Sequence, residues 1–255
     1  GLAGPTALVW RLTRGAIAGW VVGGLITGLL TTTLATFVDA IGTDNPEIED
    51  TLRQIGGGGT VEQSLIATFF TMLGVIAACC AVQVVARARQ EEVHGTAEPV
   101  LTAPVERLRW LGGYLLVAFT AVVLISAAGI AGAAAGLAGV NGDWSLMTDV
   151  VVSGTGQIAA ASVFLVLTAL AFVLAPRLTI PLGWLLVLVG TTLGLFGPLF
   201  GFPDALTRLA PMAVTPQVDG DALDVRGLWW LVGVSVAGAA ASLGLMRRRE
   251  VAVGA

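Results

Sequence analysis

The chain of 255 residues contains no lysine, one histidine, one tyrosine and two cysteines. Each scarcity removes a kind of chemistry. Without lysine, the run Gly56-Gly57-Gly58-Gly59-Thr60 cannot act as a P-loop, whose glycine cradle needs a lysine for the phosphates, so it reads as a hinge or linker. His94 has no second imidazole with which to share a metal ion. Cys79 and Cys80 are adjacent within an apolar stretch, and neighbours on a helix point about 100° apart, so they suit apolar packing rather than a disulfide. Charge is scarce as well: 12% of residues are charged, and the long apolar stretches carry none in their middles. A proton-coupled pump or an intramembrane hydrolase keeps ionisable groups there despite a cost of about 2.5–3.5 kcal/mol each. None is offered here, nor is a set of Ser, His and acid. Proton coupling, metal transport and intramembrane hydrolysis are therefore disfavoured.

What is present is apolar. With 56% hydrophobic residues and a mean hydropathy of +0.88, the composition lies outside the range of soluble domains. An all-α integral membrane protein is expected. Six stretches reach the roughly 20 apolar residues that a spanning helix needs: Gly15 to Val38, Gln63 to Ala86, Trp110 to Val140, Val150 to Ala175, Thr179 to Phe202 and Gly227 to Met246. The short alternating segments of a membrane barrel are absent. Ten of the 13 arginines (Arg11, Arg14, Arg87, Arg89, Arg107, Arg109, Arg177, Arg247, Arg248 and Arg249) fall at one set of helix ends. By the positive-inside rule that side is cytoplasmic and holds both termini. Twelve of the 17 acidic residues fall at the other set, so the net charge of −4 arises on the outer face rather than from a nucleic-acid partner. A multi-pass protein of the plasma membrane is expected.

Local signals refine this plan. Residues 4–14, GPTALVWRLTR, read either as an interfacial helix in the cytoplasmic headgroup layer or as an extension of the first span. Gly15, Gly19, Gly23, Gly24 and Gly28 on the first span, with Gly132 and Gly136 on the third, have the spacing that lets helix backbones approach in lipid, within this chain or against a second copy or half. In the first outer loop, Asn45 and Pro46 start a short helix striped by Ile48, Leu52 and Ile55 and stopped at Gly56; Thr60 and Gln63 then form a capping box for the second span. Trp10, Trp110, Tyr114, Trp144, Trp184, Trp229 and Trp230 lie near the expected interfaces and read as lipid anchors. Pro181 and Pro198 flank the fifth span, and Gly194, Gly197 and Gly201 loosen its outer end, where a gate could lie.

The charged segment between the second and third spans, residues 87–109, has the features of an elbow. Arg87 to His94 can prolong the second helix past the membrane, Gly95 can end it, and Pro104 restarts the chain into the third span. Thr96 to Thr102 is about two turns, short enough to lie across the helix axes. Such a piece can transmit a push from a cytoplasmic motor. The alternative is a solvated turn that only satisfies the charge rule.

The string EEVHGTAEPVLTAPVERLRWLGGYL in this elbow resembles the cytoplasmic loop of ABC type-2 (ABC-2 class) exporter permeases: an acidic pair, a Gly, a Glu-Pro, then Pro-x-x-Arg and Arg-Trp leading into the third helix. WRLTRGAIAGW, DNPEIEDTLRQIGGGG and MRRRE fit the same group. Over nearly the whole chain the sequence is similar to the C-terminal six-helix half of actinobacterial antibiotic and polyketide exporters, the tetronasin-resistance-like group. The resemblance implies a permease that exports hydrophobic drugs or antibiotics by alternating access. It implies a separate cytoplasmic ABC ATPase dimer that holds ATP and Mg, with no cofactor in this chain. It further implies a second six-helix half or second copy, and Gly1 in place of Met suits a piece of a longer polypeptide. Coupling to the ATPase would fall to Arg87, Arg89, Glu91, Glu92, Gly95, Glu98, Pro99 and Arg107. A cargo path lined by the second and fifth helices would include Phe69, Phe70, Met72 and Phe196. Two competing readings are a substrate-capture subunit of an ATP-driven vitamin importer and a non-transporting membrane scaffold.

Overall fold

The computed structural model describes residues 5–44, 61–93, 104–140, 144–197, 200–219 and 222–248. Among them are six helices long and apolar enough to cross a membrane. They are α1 (Pro5–Asp44), α2 (Val61–Val93), α3 (Pro104–Val140), α4 (Met147–Leu174), α5 (Thr179–Phe196) and, after a four-residue α6 (Asp204–Thr207), α7 (Arg226–Arg248). The expected all-helical membrane architecture is thus present, with one small addition. Strands β1 (Gln217–Asp219) and β2 (Ala222–Asp224) pair antiparallel before α7, Gln217 opposite Asp224. The intervening Gly220 and Asp221 have the composition that two-residue hairpins favour.

Pro5, with its φ already suited to a first helical turn, opens α1, which continues unbroken through Arg14 into the membrane. Of the two readings of residues 4–14, the structure has the extension of the first span. The expected helix in residues 45–56 and the capping-box Thr60 lie outside the described residues. α2 continues past Ala86 to Val93, as the elbow's sequence suggests. The fifth span is shorter than expected. α5 stops at Phe196 rather than Phe202, because Gly197 and Pro198 follow and Gly201 takes a positive φ of 67° that L-residues avoid. The Phe200 and Phe202 amides turn back onto the carbonyls of Phe196 and Gly197 at 3.0 Å. Its 18 residues span about 27 Å, barely the thickness of a bilayer's hydrocarbon.

Many hydroxyl groups inside the spans are satisfied locally, while those of Ser126, Thr191 and Ser235 are buried without a partner. Thr27, Thr31, Thr168 and Ser242 donate to the carbonyl four residues back, at 2.7–2.9 Å. A polar side chain can then face lipid or a neighbouring helix without an unpaired donor.

Because lipid tails are as apolar as leucine, helices in a membrane associate through close packing rather than through the hydrophobic effect. The contact between α1 and α3 shows how. A Cβ on Gly28 would strike the carbonyl of Gly129, one on Gly132 the carbonyl of Leu25, and one on Gly136 the Thr32 hydroxyl. Gly24 lies on the Ile125 carbonyl less tightly, with a Cβ there 2.8 Å from it. Thr32 then donates across the seam to the Ala133 carbonyl at 2.9 Å. α1 and α3 run parallel here, in a register offset by about a hundred residues, with their backbones in contact. Gly15, Gly19 and Gly23 lie off this seam, with open space where a Cβ would be. The small-residue pattern therefore divides into an occupied face and an unoccupied one.

α4 is the most enclosed helix and packs on α2, α3, α5 and α7. Its neighbours come close at glycines: Gly183 of α5 on Thr168, Gly190 of α5 on the Phe164 ring, and Gly238 of α7 on Val166. α1, α5 and α7 turn most of their residues outward, as helices against lipid or another subunit should. Trp144, Trp184, Trp229 and Trp230 are exposed, consistent with an interfacial belt. Trp110 and Tyr114 correct that expectation. They are 4% and 0% exposed, because their four-residue spacing puts both on the α3 face that meets Phe172 of α4.

The α1–α3 seam makes a paired prediction. Gly28→Ala should lower stability by about 1–3 kcal/mol by forcing two backbones apart, whereas Gly19→Ala should be neutral or gain up to about 1 kcal/mol from helix propensity. Unfolding of each variant in mixed detergent micelles measures the difference.

Candidate functional site

The arginine-rich end of the bundle collects the first turns of α1, α3 and α5 and the last turns of α2, α4 and α7. There the last two turns of α2 project as a helical extension with internal order. Arg89 Nη1 bonds Glu92 Oε2 at 2.8 Å, three residues along the same face, with both side chains half-buried or better. Glu91 points to the neighbouring face. The buried Tyr114 hydroxyl of α3 faces the Glu91 carboxylate without a well-aligned hydrogen bond, and Arg87 contributes its charge nearby.

Directly beneath, Trp110 meets Tyr114 edge to face at 5.2 Å between ring centroids and Phe172 of α4 at 6.0 Å. Aromatic pairs in such geometry contribute about 0.5–1.5 kcal/mol beyond their area. These rings tie α3 to α4, and with α2 packed on both they form a foot below the elbow. Arg107 is half-buried near the start of α3. Gly95, Glu98 and Pro99, with the expected transverse helix over residues 96–102, lie outside the described residues.

Beside this foot is a groove of about 290 Å³ between α1, α2 and α5. Leu12 and Ile17 of α1 and Ile180 and Trp184 of α5 form its walls, and Gln83 and Arg87 of α2 its floor. Where α1 and α2 converge, the Trp20 indole N–H donates to Gln83 Oε1 at 2.7 Å. This bond joins two helices inside the apolar layer and was not singled out from sequence. A glutamine in an otherwise apolar span was the available signal. Gln157 on α4 carried the same signal. It is 1% exposed, its Oε1 has no partner, and it lies against Gly74 of α2, where a Cβ would collide with it. Towards the acidic end of the same helix pair, Gln63 donates to Asp149 Oδ2 at 3.3 Å.

The four aromatic and thioether residues expected on a path separate into two environments. Phe70 is 1% exposed and closes on Gly154 of α4, a packing position. Met72 of α2 and Phe196 of α5 are exposed, and Phe69 of α2 is half-buried. Phe196 begins a ladder of rings with Phe200 and Phe202, centroids 6.3 and 6.0 Å apart, at the acidic end of α5. Among the described residues no cluster of three or more His, Cys, Asp or Glu could hold a metal ion.

Residues 2–247 match the family model described as multidrug efflux system permease Rv1217c, C-terminal domain. The chain is also 36% identical, over 259 aligned positions, to the multidrug efflux system permease protein Rv1217c of Mycobacterium tuberculosis (strain ATCC 25618 / H37Rv). That alignment covers 98% of this chain and 46% of the relative, so the chain spans about half the length of the curated relative that it matches.

The foot generates its own test. Trp110→Ala should cost about 3–5 kcal/mol of stability, the range for truncating a large buried ring, while Tyr114→Phe should change it by less than about 1 kcal/mol because the hydroxyl has no well-aligned partner. Thermal or detergent unfolding of the purified chain checks both.

Proposed function

The chain belongs to the family of multidrug efflux permease C-terminal domains described for Rv1217c, and on that premise we propose that it is one six-helix half of an ATP-driven exporter of hydrophobic drugs or antibiotics. The observation that carries this reading is the family match across residues 2–247. The chemistry of the bundle agrees with it. No acidic or basic side chain lies in the middle of a span, so the bundle has no built-in means of coupling to protons or metal ions, and the driving energy comes from a partner. That partner is a separate cytoplasmic ATPase dimer that binds ATP and Mg. The arginine-rich end faces the cytoplasm of a cell-membrane protein, and a second six-helix half completes the translocation unit. The wording of the elbow string supports the narrower placement among actinobacterial polyketide-antibiotic exporters related to tetronasin resistance.

Mechanically, residues 87–109 receive the push, with Gly95, Glu98 and Pro99 at the point of contact. Within the described part of that elbow, Arg89 and Glu92 stiffen the end of α2, and Glu91 faces Tyr114 of α3. Force applied there moves α2 and α3 together, and α1 follows α3 through their glycine seam. The lipid-side surfaces of α2 and α5, with Phe69, Met72 and Phe196, face the other half and line a path that suits neutral or weakly charged lipophilic cargo.

Co-purification of the full permease with its ATPase allows the test. Gly95→Pro, or Glu91→Arg with Glu92→Arg, should reduce cargo-stimulated ATP hydrolysis to the unstimulated rate while membrane insertion is retained. Undiminished stimulation in both variants would overturn the proposal.

A further inference from the structure

The groove between α1, α2 and α5 carries a cation, Arg87, at its mouth. Arg87 is the first residue past the apolar stretch of α2, so its guanidinium stands at headgroup level while the groove runs back along the membrane side of the same helix. From Gln90 to Cys80 the lined length is ten residues of α2, about 15 Å. The walls, Leu12 and Ile17 on one side and Ile180 and Trp184 on the other, are apolar. Leu12, Ile180 and Trp184 are exposed in the isolated chain, so the groove opens sideways towards the bilayer.

The charges around the mouth have one sign. Arg11 and Arg14 flank the α1 wall, and Arg177 lies two residues before α5; all three are exposed. Of the nearby acids, Glu92 pairs with Arg89, and Glu91, four residues from Arg87 on the same face of α2, lies against Tyr114 and does not line the groove. Arg87 makes no ion pair among the described residues. The volume, about 290 Å³, lies at the floor of the range for drug-sized ligands but accommodates part of one acyl chain.

We propose that this groove is a binding site for an acidic phospholipid of the arginine-rich leaflet, with the phosphate on Arg87 and one acyl chain between α1 and α5. A guanidinium and a phosphate form paired charge-assisted hydrogen bonds, and anionic lipids concentrate at basic residues beside a membrane. The Trp20–Gln83 hydrogen bond joins α1, one wall of the groove, to α2, its floor, so a seated lipid and that bond together set the spacing of α1 and α2. A lipid here would wedge α5 against the α1–α2 pair. The site stands on this geometry and not on the export reading.

The experiment uses the full chain reconstituted in vesicles of phosphatidylcholine and phosphatidylglycerol. Photoactivatable acyl-chain probes with either headgroup are cross-linked, and the labelled peptides are mapped by mass spectrometry. The phosphatidylglycerol probe should label the segments 12–17 and 180–184 about fivefold to tenfold more than the phosphatidylcholine probe. Arg87→Gln should erase that preference, Arg87→Lys should retain part of it, and Ala16→Leu should reduce labelling by both probes by filling the groove. Labelling around Trp229 and Trp230 of α7, unchanged across variants, shows that each has folded. Equal labelling of the groove by both probes, a preference that survives Arg87→Gln, or displacement of the lipid probe by lipophilic antibiotics at the groove alone would each overturn the proposal.

Discussion

Two helices that begin about a hundred residues apart in sequence touch backbone to backbone, and that contact fixes α1 to the rest of the bundle. In hydrocarbon a leucine gains nothing by exchanging lipid for protein, so α1 and α3 stay together because Gly24, Gly28, Gly132 and Gly136 remove the side chains that would hold them apart. Close approach multiplies dispersion contacts, and it lets Thr32 reach a carbonyl on the opposite helix. A body that is tight along one seam and open along its outer faces can shift as a unit. Transmission of a push from one end of a membrane to the other requires a unit of this kind.

In the proposed export cycle, the arginine-rich end would make that body a lever. α2 outlasts the membrane by about two turns, and its acidic pair is divided between two jobs: Glu92 closes an ion pair along the helix, while Glu91 faces α3. Trp110, Tyr114 and Phe172 then fix α3 to the central helix α4. The polar groups that remain inside the spans, Gln83 and Gln157, sit at contacts of α2 with α1 and α4. They mark the interfaces where one helix would have to slide past another.

How much of this was legible in the sequence depends on which physical signal each feature leaves. The six spans were readable because charge is excluded from hydrocarbon, a constraint written at every position. Their ends were less so: Phe202 gave way to Phe196 because Gly197, Pro198 and Gly201 interrupt a stretch that stays apolar. Faces were harder still. A helix that is apolar all round carries no amphipathic pattern, so nothing distinguished Gly28, locked on Gly129, from Gly19, which faces open space. Trp110 shows the same ambiguity, since a tryptophan near a span's end can anchor in lipid or complete a core, and here a partner on α4 decided it. The charged elbow was legible as composition, and its division of labour between Glu91 and Glu92 was not, because that depends on where α3 places Tyr114.

The central claim is that this bundle is passive and is worked through the segment between α2 and α3. Site-specific photo-cross-linking measures that most directly, with a benzophenone amino acid in place of Ala97, in the middle of the segment, in cells that express the full permease with its ATPase. The account predicts a covalent adduct with the ATPase subunit that strengthens or weakens with nucleotide state. Efficient drug export in the same cells with no adduct to the ATPase from any position in residues 94–103 would contradict it.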